Sequence, residues 1–140
     1  MTTLPAALDA RLQQDADLTF FEYMVLAVLS ERADRTMQMS DIAAGVSASL
    51  SRLSHVVARL EKRGLLYRER VPGSGRRTNA TLTDAGYAQV VAAAPDHVAA
   101  VRDYFVDALN SADVATMQRI GRAVAARINP ERPFLHGVTT

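Results

Sequence analysis

The sequence contains no cysteine and no tryptophan. Without cysteine there is no disulfide framework, no thiolate metal site and no thiol redox switch. Aromatic residues make up only 6% of the chain, so helices packed through alanine, valine and leucine are expected. The longest uninterrupted apolar runs, such as Met24–Leu29, are far too short to cross a bilayer. No basic segment followed by an apolar one opens the chain, which argues against a signal peptide and for a cytoplasmic protein. The histidines, His55, His97 and His136, are scattered without i, i+4 pairing. No Ser/His/Asp grouping has local support. The chain therefore reads as a non-enzyme with no catalytic residues, no metal and no cofactor.

What the sequence does contain is an internal charge polarity. Its 140 residues are 49% hydrophobic, enough for one domain with a real core, and the net charge is only +1. Between Ser40 and Leu82, however, stand Arg52, Arg59, Lys62, Arg63, Arg68, Arg70, Arg76 and Arg77 against only Asp41, Glu61 and Glu69. That window carries +5 and the remainder −4. A cationic segment inside an acidic chain is the electrostatic footprint of a polyanion binder.

Taken in order, the chain opens with a short expected helix from Pro5 to about Gln14, with Leu8 and Leu12 on one face. It is too short to stand alone and must pack on something, a second subunit being one candidate. Thr19 and Glu22 form a capping box ahead of Phe21, Met24, Val25, Val28 and Leu29 at helical spacing. Arg32–Met37 reads as a loop ending in a short extended piece. Ser40 is expected to cap a short helix that buries Ile42, Ala43 and Val46. After the turn Ser47-Ala48-Ser49, a further helix runs from about Ser49 to Arg63. Its expected buried stripe is Leu50, Leu53, Val57 and Leu60, and Gly64 ends it in a left-handed conformation. Leu65–Val71 and Thr78–Leu82 read as a hairpin around Pro72-Gly73-Ser74-Gly75. A long helix follows, from Thr83-Asp84 to about Leu109. Its stripe is Tyr87, Val90/Val91, Ala94, Val98, Val101, Phe105 and Leu109, and Pro95 is expected to kink it. Ser111 is expected to cap a last helix carrying Val114, Met117, Ile120, Val124 and Ile128 on one face, with Asn129-Pro130 stopping it. The tail Glu131–Thr140 has no periodicity. The fold class is mainly α with a small β-hairpin wing, a winged helix-turn-helix.

A helix with one buried stripe and one Ser/Arg/His face suits a major groove, where the N-terminal residues of a recognition helix reach base edges. Ser49, Ser51, Arg52 and His55 occupy that half, and Arg59 and Lys62 lie further along, toward backbone. Arg76 and Arg77 follow the glycine tip, where an arginine can enter a minor groove. Arg68 and Arg70 alternate on a strand and suit phosphate or local acids such as Glu69. The competing reading is a solvated amphipathic helix beside an ordinary hairpin.

The chain resembles the MarR (multiple antibiotic resistance regulator) family of transcription factors from about Leu18 to Ile128. The resemblance is carried by Leu18-Thr19 with Glu22-Tyr23 and Val25-Leu26, Ser40-Asp41-Ile42-Ala43, Leu60-Glu61-Lys62-Arg63-Gly64-Leu65, the arginine wing and Leu82-Thr83-Asp84-Ala85-Gly86. It implies a single domain over residues 1–140. Residues 18–38 and 84–128, with 1–17, would dimerise and support, residues 39–83 would form the DNA-binding lobe, and residues 129–140 a tail. It further implies a homodimer on a palindromic operator, usually a repressor, released when an aromatic or phenolic molecule enters a crevice above the DNA-binding lobe. Phe20, Phe21, Tyr23, Met24 and Tyr104 are the candidates for that crevice. Two departures stand out. Ser74 occupies the place where the family wing carries an acid that braces its arginine. The helix before Leu18-Thr19 is also shorter than in relatives, so the interface leans more on Phe105–Ile128 or the natural start lies upstream. The alternatives are a winged-helix regulator with no small-molecule effector, or a winged-helix module that binds an acidic protein.

Overall fold

The computed structural model describes residues 3–128 and Pro130. Its elements follow from local chemistry. Helix α1 spans Thr3–Ala16 and buries Leu8 and Leu12, two residues longer at each end than its apolar spacing suggested. Helix α2, Phe20–Ser30, starts from the expected capping box: the Thr19 hydroxyl accepts from the Glu22 N–H at 3.0 Å, and Glu22 Oε2 accepts from the Thr19 N–H at 3.0 Å. A further acceptor comes from α1, where Asp9 Oδ1 takes the Phe20 N–H at 2.7 Å. Tyr23, Val25, Leu26 and Leu29 of α2 form the centre of the core with Leu12 and Leu18.

Strand β1, Thr36–Gln38, runs straight into helix α3, Met39–Gly45. Gln38 therefore occupies the N-cap position without a side-chain cap, and Ser40 lies inside the first turn rather than before it. The reason is pairing: Gln38 is still in register with Asn79. Helix α4, Leu50–Lys62, is capped by Ser49, whose Oγ accepts from the Arg52 N–H at 3.2 Å. Gly64 ends it as expected at φ 71°, with Leu65 N–H on the Leu60 carbonyl and Gly64 N–H on the Glu61 carbonyl. The buried face of α4 is Leu53, Val56, Val57 and Leu60; Leu50, expected in that stripe, is exposed.

Strands β2, Leu66–Arg70, and β3, Thr78–Leu82, form the hairpin, and β1 adds to the other side of β3, giving a three-stranded antiparallel sheet of order β1-β3-β2. Leu66 pairs with Leu82, Arg68 with Ala80 and Thr36 with Thr81. Helix α5, Asp84–Tyr104, continues through Pro95. It stops at Tyr104 rather than Leu109 because Phe105 leaves helical backbone (φ −132°, ψ −60°) before a short 3-10 turn, Val106–Ala108.

The chain divides into two compact units, Met1–Val98 and Ala99–Thr140. In the first, α5 buries Val90 and Ala93 and leaves Tyr87, Val91 and Val98 exposed, so the buried line runs beside much of the expected stripe. In the second, helix α6 spans Ser111–Ile128. Asn110, not Ser111, caps it: Asn110 Oδ1 accepts from the Asp113 N–H at 2.9 Å, and Asp113 Oδ2 accepts from the Asn110 N–H at 3.3 Å. No described residue of α6 is buried. The expected stop at Asn129, the tail Glu131–Thr140 and His136 lie outside the described residues. Among the described residues no helix is long and apolar enough to cross a membrane.

Candidate nucleic-acid interface

The helix-turn-helix is α3, a tight turn and α4. Ser47 adopts a left-handed φ of 53°, and Ala48 N–H returns to the Ala43 carbonyl at 2.9 Å, so α4 leaves in a new direction. Burial of Leu53, Val56, Val57 and Leu60 turns the opposite face outward. Ser49, Ser51, Arg52, His55 and Arg59 are all exposed there, and so are Leu50, Ser54 and Lys62. Ser54, which the Ser/Arg/His pattern does not single out, shares this face because it lies three residues after Ser51.

The arginines of α4 divide by partner. Arg52 stacks on Phe21 of α2, with its guanidinium carbon 4.4 Å from the ring centroid. Arg59 Nε is 3.4 Å from Glu22 Oε1, yet its side chain remains 58% exposed. Arg63, beyond the end of α4, is 3.6 Å from Glu22 and 3.5 Å from Asp17, and donates to the Asp17 carbonyl at 3.0 Å. Glu22 is only 5% exposed, so a single buried carboxylate caps α2 and faces two arginines from the end of α4. Arg63 thus has a structural post, while Arg52 and Arg59 keep groups open to solvent.

On the wing, Arg68 pairs with Glu61 of α4 and not with Glu69 or open solvent. Its guanidinium donates to Glu61 Oε2 at 2.8 and 3.2 Å, and its N–H to Oε1 at 2.9 Å. These side-chain and backbone hydrogen bonds hold the Glu61 carboxyl below the usual carboxylate range. The clamp ties the wing's first strand to α4. Ser74 does not reach toward an arginine; its Oγ donates to the Val71 carbonyl at 2.7 Å and closes the tip, flanked by Gly73 and Gly75 at φ 73° and 71°. Among the described residues Arg70, Arg76 and Arg77 have no ion-pair partner. The tip therefore presents uncompensated charge.

A cavity of about 350 Å3 runs along the flank of α4, lined by Asp9, Thr19, Phe21, Arg52, His55, Val56 and Arg59. Of the expected crevice residues only Phe21 lines it. Phe20 and Tyr23 instead bracket His97, with ring centroids 5.8 and 4.4 Å away. Met24 packs against the core, and Tyr104 is exposed in the other unit. Asp9 and Thr19 carried no sequence signal for a cavity, because the approach of α1 to α4 is tertiary. Burial lowers the His97 pKa, and its Nδ1 is buried without a hydrogen-bond partner. Among the described residues no His/Asp/Glu cluster could hold a metal ion.

The same fold recurs in known proteins. The model of the MarR family matches residues 16–77. No curated protein sequence matches significantly. Among similar solved structures is Sco3205, a MarR family transcriptional regulator from Streptomyces coelicolor in complex with DNA. It is 38% identical, with 96% of this chain and 86% of that one covered and a TM-score of 0.88. AbsC, another MarR family regulator from Streptomyces coelicolor, is 34% identical over 93% and 87% of the two chains, with a TM-score of 0.85. The PcaV transcriptional regulator of the same organism, in complex with its natural ligand, is 25% identical over 89% and 87%, with a TM-score of 0.76. With its capped recognition helix, its arginine wing and this degree of identity along nearly its whole length, the chain belongs to the MarR family of DNA-binding transcriptional regulators, which are not enzymes.

Proposed function

We propose that the chain is a dimeric cytoplasmic repressor that reads a palindromic operator with α4 and the wing and is released by a small aromatic or phenolic molecule. The observation that carries this reading is the outward face of α4, with Arg52, His55 and Arg59 exposed, together with the exposed Arg76 and Arg77 of the wing, which have no ion-pair partner among the described residues. The DNA complex of Sco3205 supports it. Residues 39–83 act as the DNA-binding lobe. Residues 18–38 and 84–128, with 1–17, dimerise and support it. Ser49, Ser51, Arg52 and His55 address base edges, Arg59 the sugar-phosphate backbone, Arg76 the minor groove and Arg77 the adjoining phosphates. Two-fold symmetry then sets half-sites roughly 34–36 Å apart. The apolar line Met117, Ile120, Val124 and Ile128, open on α6, supplies the dimer surface.

The effector reading rests on the cavity beside α4. A carboxylate there meets Arg52 and Arg59, and an aromatic ring meets Phe21. A ligand so held occupies groups that DNA also needs, and it favours the state that does not bind DNA. The ligand-bound form of PcaV supports this class of control. Footprinting on the DNA upstream of the chain's own gene tests the main reading; absence of a protected inverted repeat at low salt defeats it. A thermal-shift panel of aromatic carboxylates tests the effector. Uniform silence favours a regulator without one, a reading to which the confinement of Phe20, Tyr23 and Met24 to packing already lends weight.

A further inference from the structure

Leu50 is 56% exposed in the first turn of α4, where apolar periodicity called for burial. Among the described residues of α3 and α4 it is the single large apolar side chain left in solvent. Its neighbours on the outer surface are Ser49, Ser51, Arg52 and Ser54, all exposed. The Ser49 cap fixes the backbone of this turn, so the direction of the Leu50 Cβ is set. Side chains of a helix lean toward its N-terminus, so Leu50 leads at the end that enters a groove.

An isolated leucine ringed by serines and an arginine is too small a patch for a protein partner. Hydroxyls and one guanidinium around it suit nucleic acid instead. The major groove offers one apolar group for such a side chain, the 5-methyl of thymine. We propose that Leu50 is a specificity residue that reads a thymine methyl in each half-site of duplex DNA. The proposal rests on α4 being the DNA-reading helix.

The test uses the full chain and duplexes selected by it from a random-sequence pool. Each thymine of the selected half-site is replaced singly by deoxyuridine, which removes only the methyl group. One position is expected to cost the native chain about fourfold in affinity per half-site, and about fifteenfold when both halves are changed. Leu50→Ala is expected to bind the thymine duplex as weakly as the native chain binds the uracil one. It should be indifferent to uracil at that position and still sensitive elsewhere. Its thermal unfolding should match the native chain, since the side chain is largely solvated. Equal uracil costs for both proteins at every position, or a selected half-site without thymine, overturn the proposal for Leu50 alone. Failure to select any duplex overturns both it and the reading of α4.

Discussion

Single side chains divide here between those that maintain the fold and those to which the proposed function assigns contact with DNA. Arg52 is exposed at the start of α4 and stacked on Phe21, so DNA must draw it off a ring worth about 0.5–1 kcal/mol. Arg52→Ala is nonetheless expected to cost about 1–3 kcal/mol on operator and less on scrambled DNA, measured by fluorescence anisotropy. Equal losses would remove Arg52 from base readout. Arg76 is a different case, since among the described residues neither a ring contact nor an ion pair engages it. Arg76→Ala should lower affinity and flatten the slope of log K against log salt by roughly one unit. His97 concerns stability. Held between Phe20 and Tyr23, it is harder to protonate than in the unfolded chain, where the ordinary value is 6.5. Its contribution is complete above pH 6.5 and declines as pH falls toward the lower folded-state value, because the unfolded chain takes up the proton first. Below that value both states are protonated and the decline ends. Urea unfolding of His97→Leu across this range should show a shallower pH dependence than the native chain.

Elements are held to one another by a few junctions. The end of α4 is joined to the start of α5 by Thr83: its hydroxyl donates to the Gly64 carbonyl at 2.7 Å and accepts from Gly86 N–H at 3.0 Å, while its own N–H donates to the Leu65 carbonyl at 3.1 Å. The two chains approach so closely that a Cβ at Gly86 would run into the Leu65 carbonyl oxygen. Gly86→Ala should therefore destabilise by about 1–3 kcal/mol in chemical denaturation, the usual cost of overpacking, despite alanine's better helix propensity. An unchanged midpoint would mean the junction yields freely. This explains in physical terms why Leu82-Thr83-Asp84-Ala85-Gly86 reads as a signature: it docks α5 onto the recognition helix. The helix starts at Thr19 and Ser49 and the stop at Gly64 were legible because caps are local chemistry. The third strand's pairing and the Arg68–Glu61 clamp were not, because both depend on which segments the fold brings alongside.

At the scale of the whole molecule the main feature is uncovered apolar surface on α6, which the proposed function assigns to a dimer interface. Met117, Ile120 and Val124 of α6 are exposed at helical spacing, and Ile128 is 78% exposed. Ile120→Glu in that face is expected to yield a folded monomer by light scattering. It should also lose tight binding to an inverted repeat while keeping weak affinity for a half-site. A variant that stays dimeric would move the interface elsewhere. The amino-acid sequence by itself determined the helical class, the capped recognition helix, the basic hairpin and the family, because each is written in local spacing and charge. It could not say which of several apolar stripes is buried. Leu50 fits the periodicity of α4 yet stands in solvent, and of the stripe expected on α5 Val90 is buried while Tyr87, Val91 and Val98 are exposed. Nor could it assign partners to arginines, since Arg68 found Glu61 and Arg63 found Glu22 across turns and layers. Those choices belong to tertiary structure because burial and ion pairing are relations between segments, decided only when the segments pack.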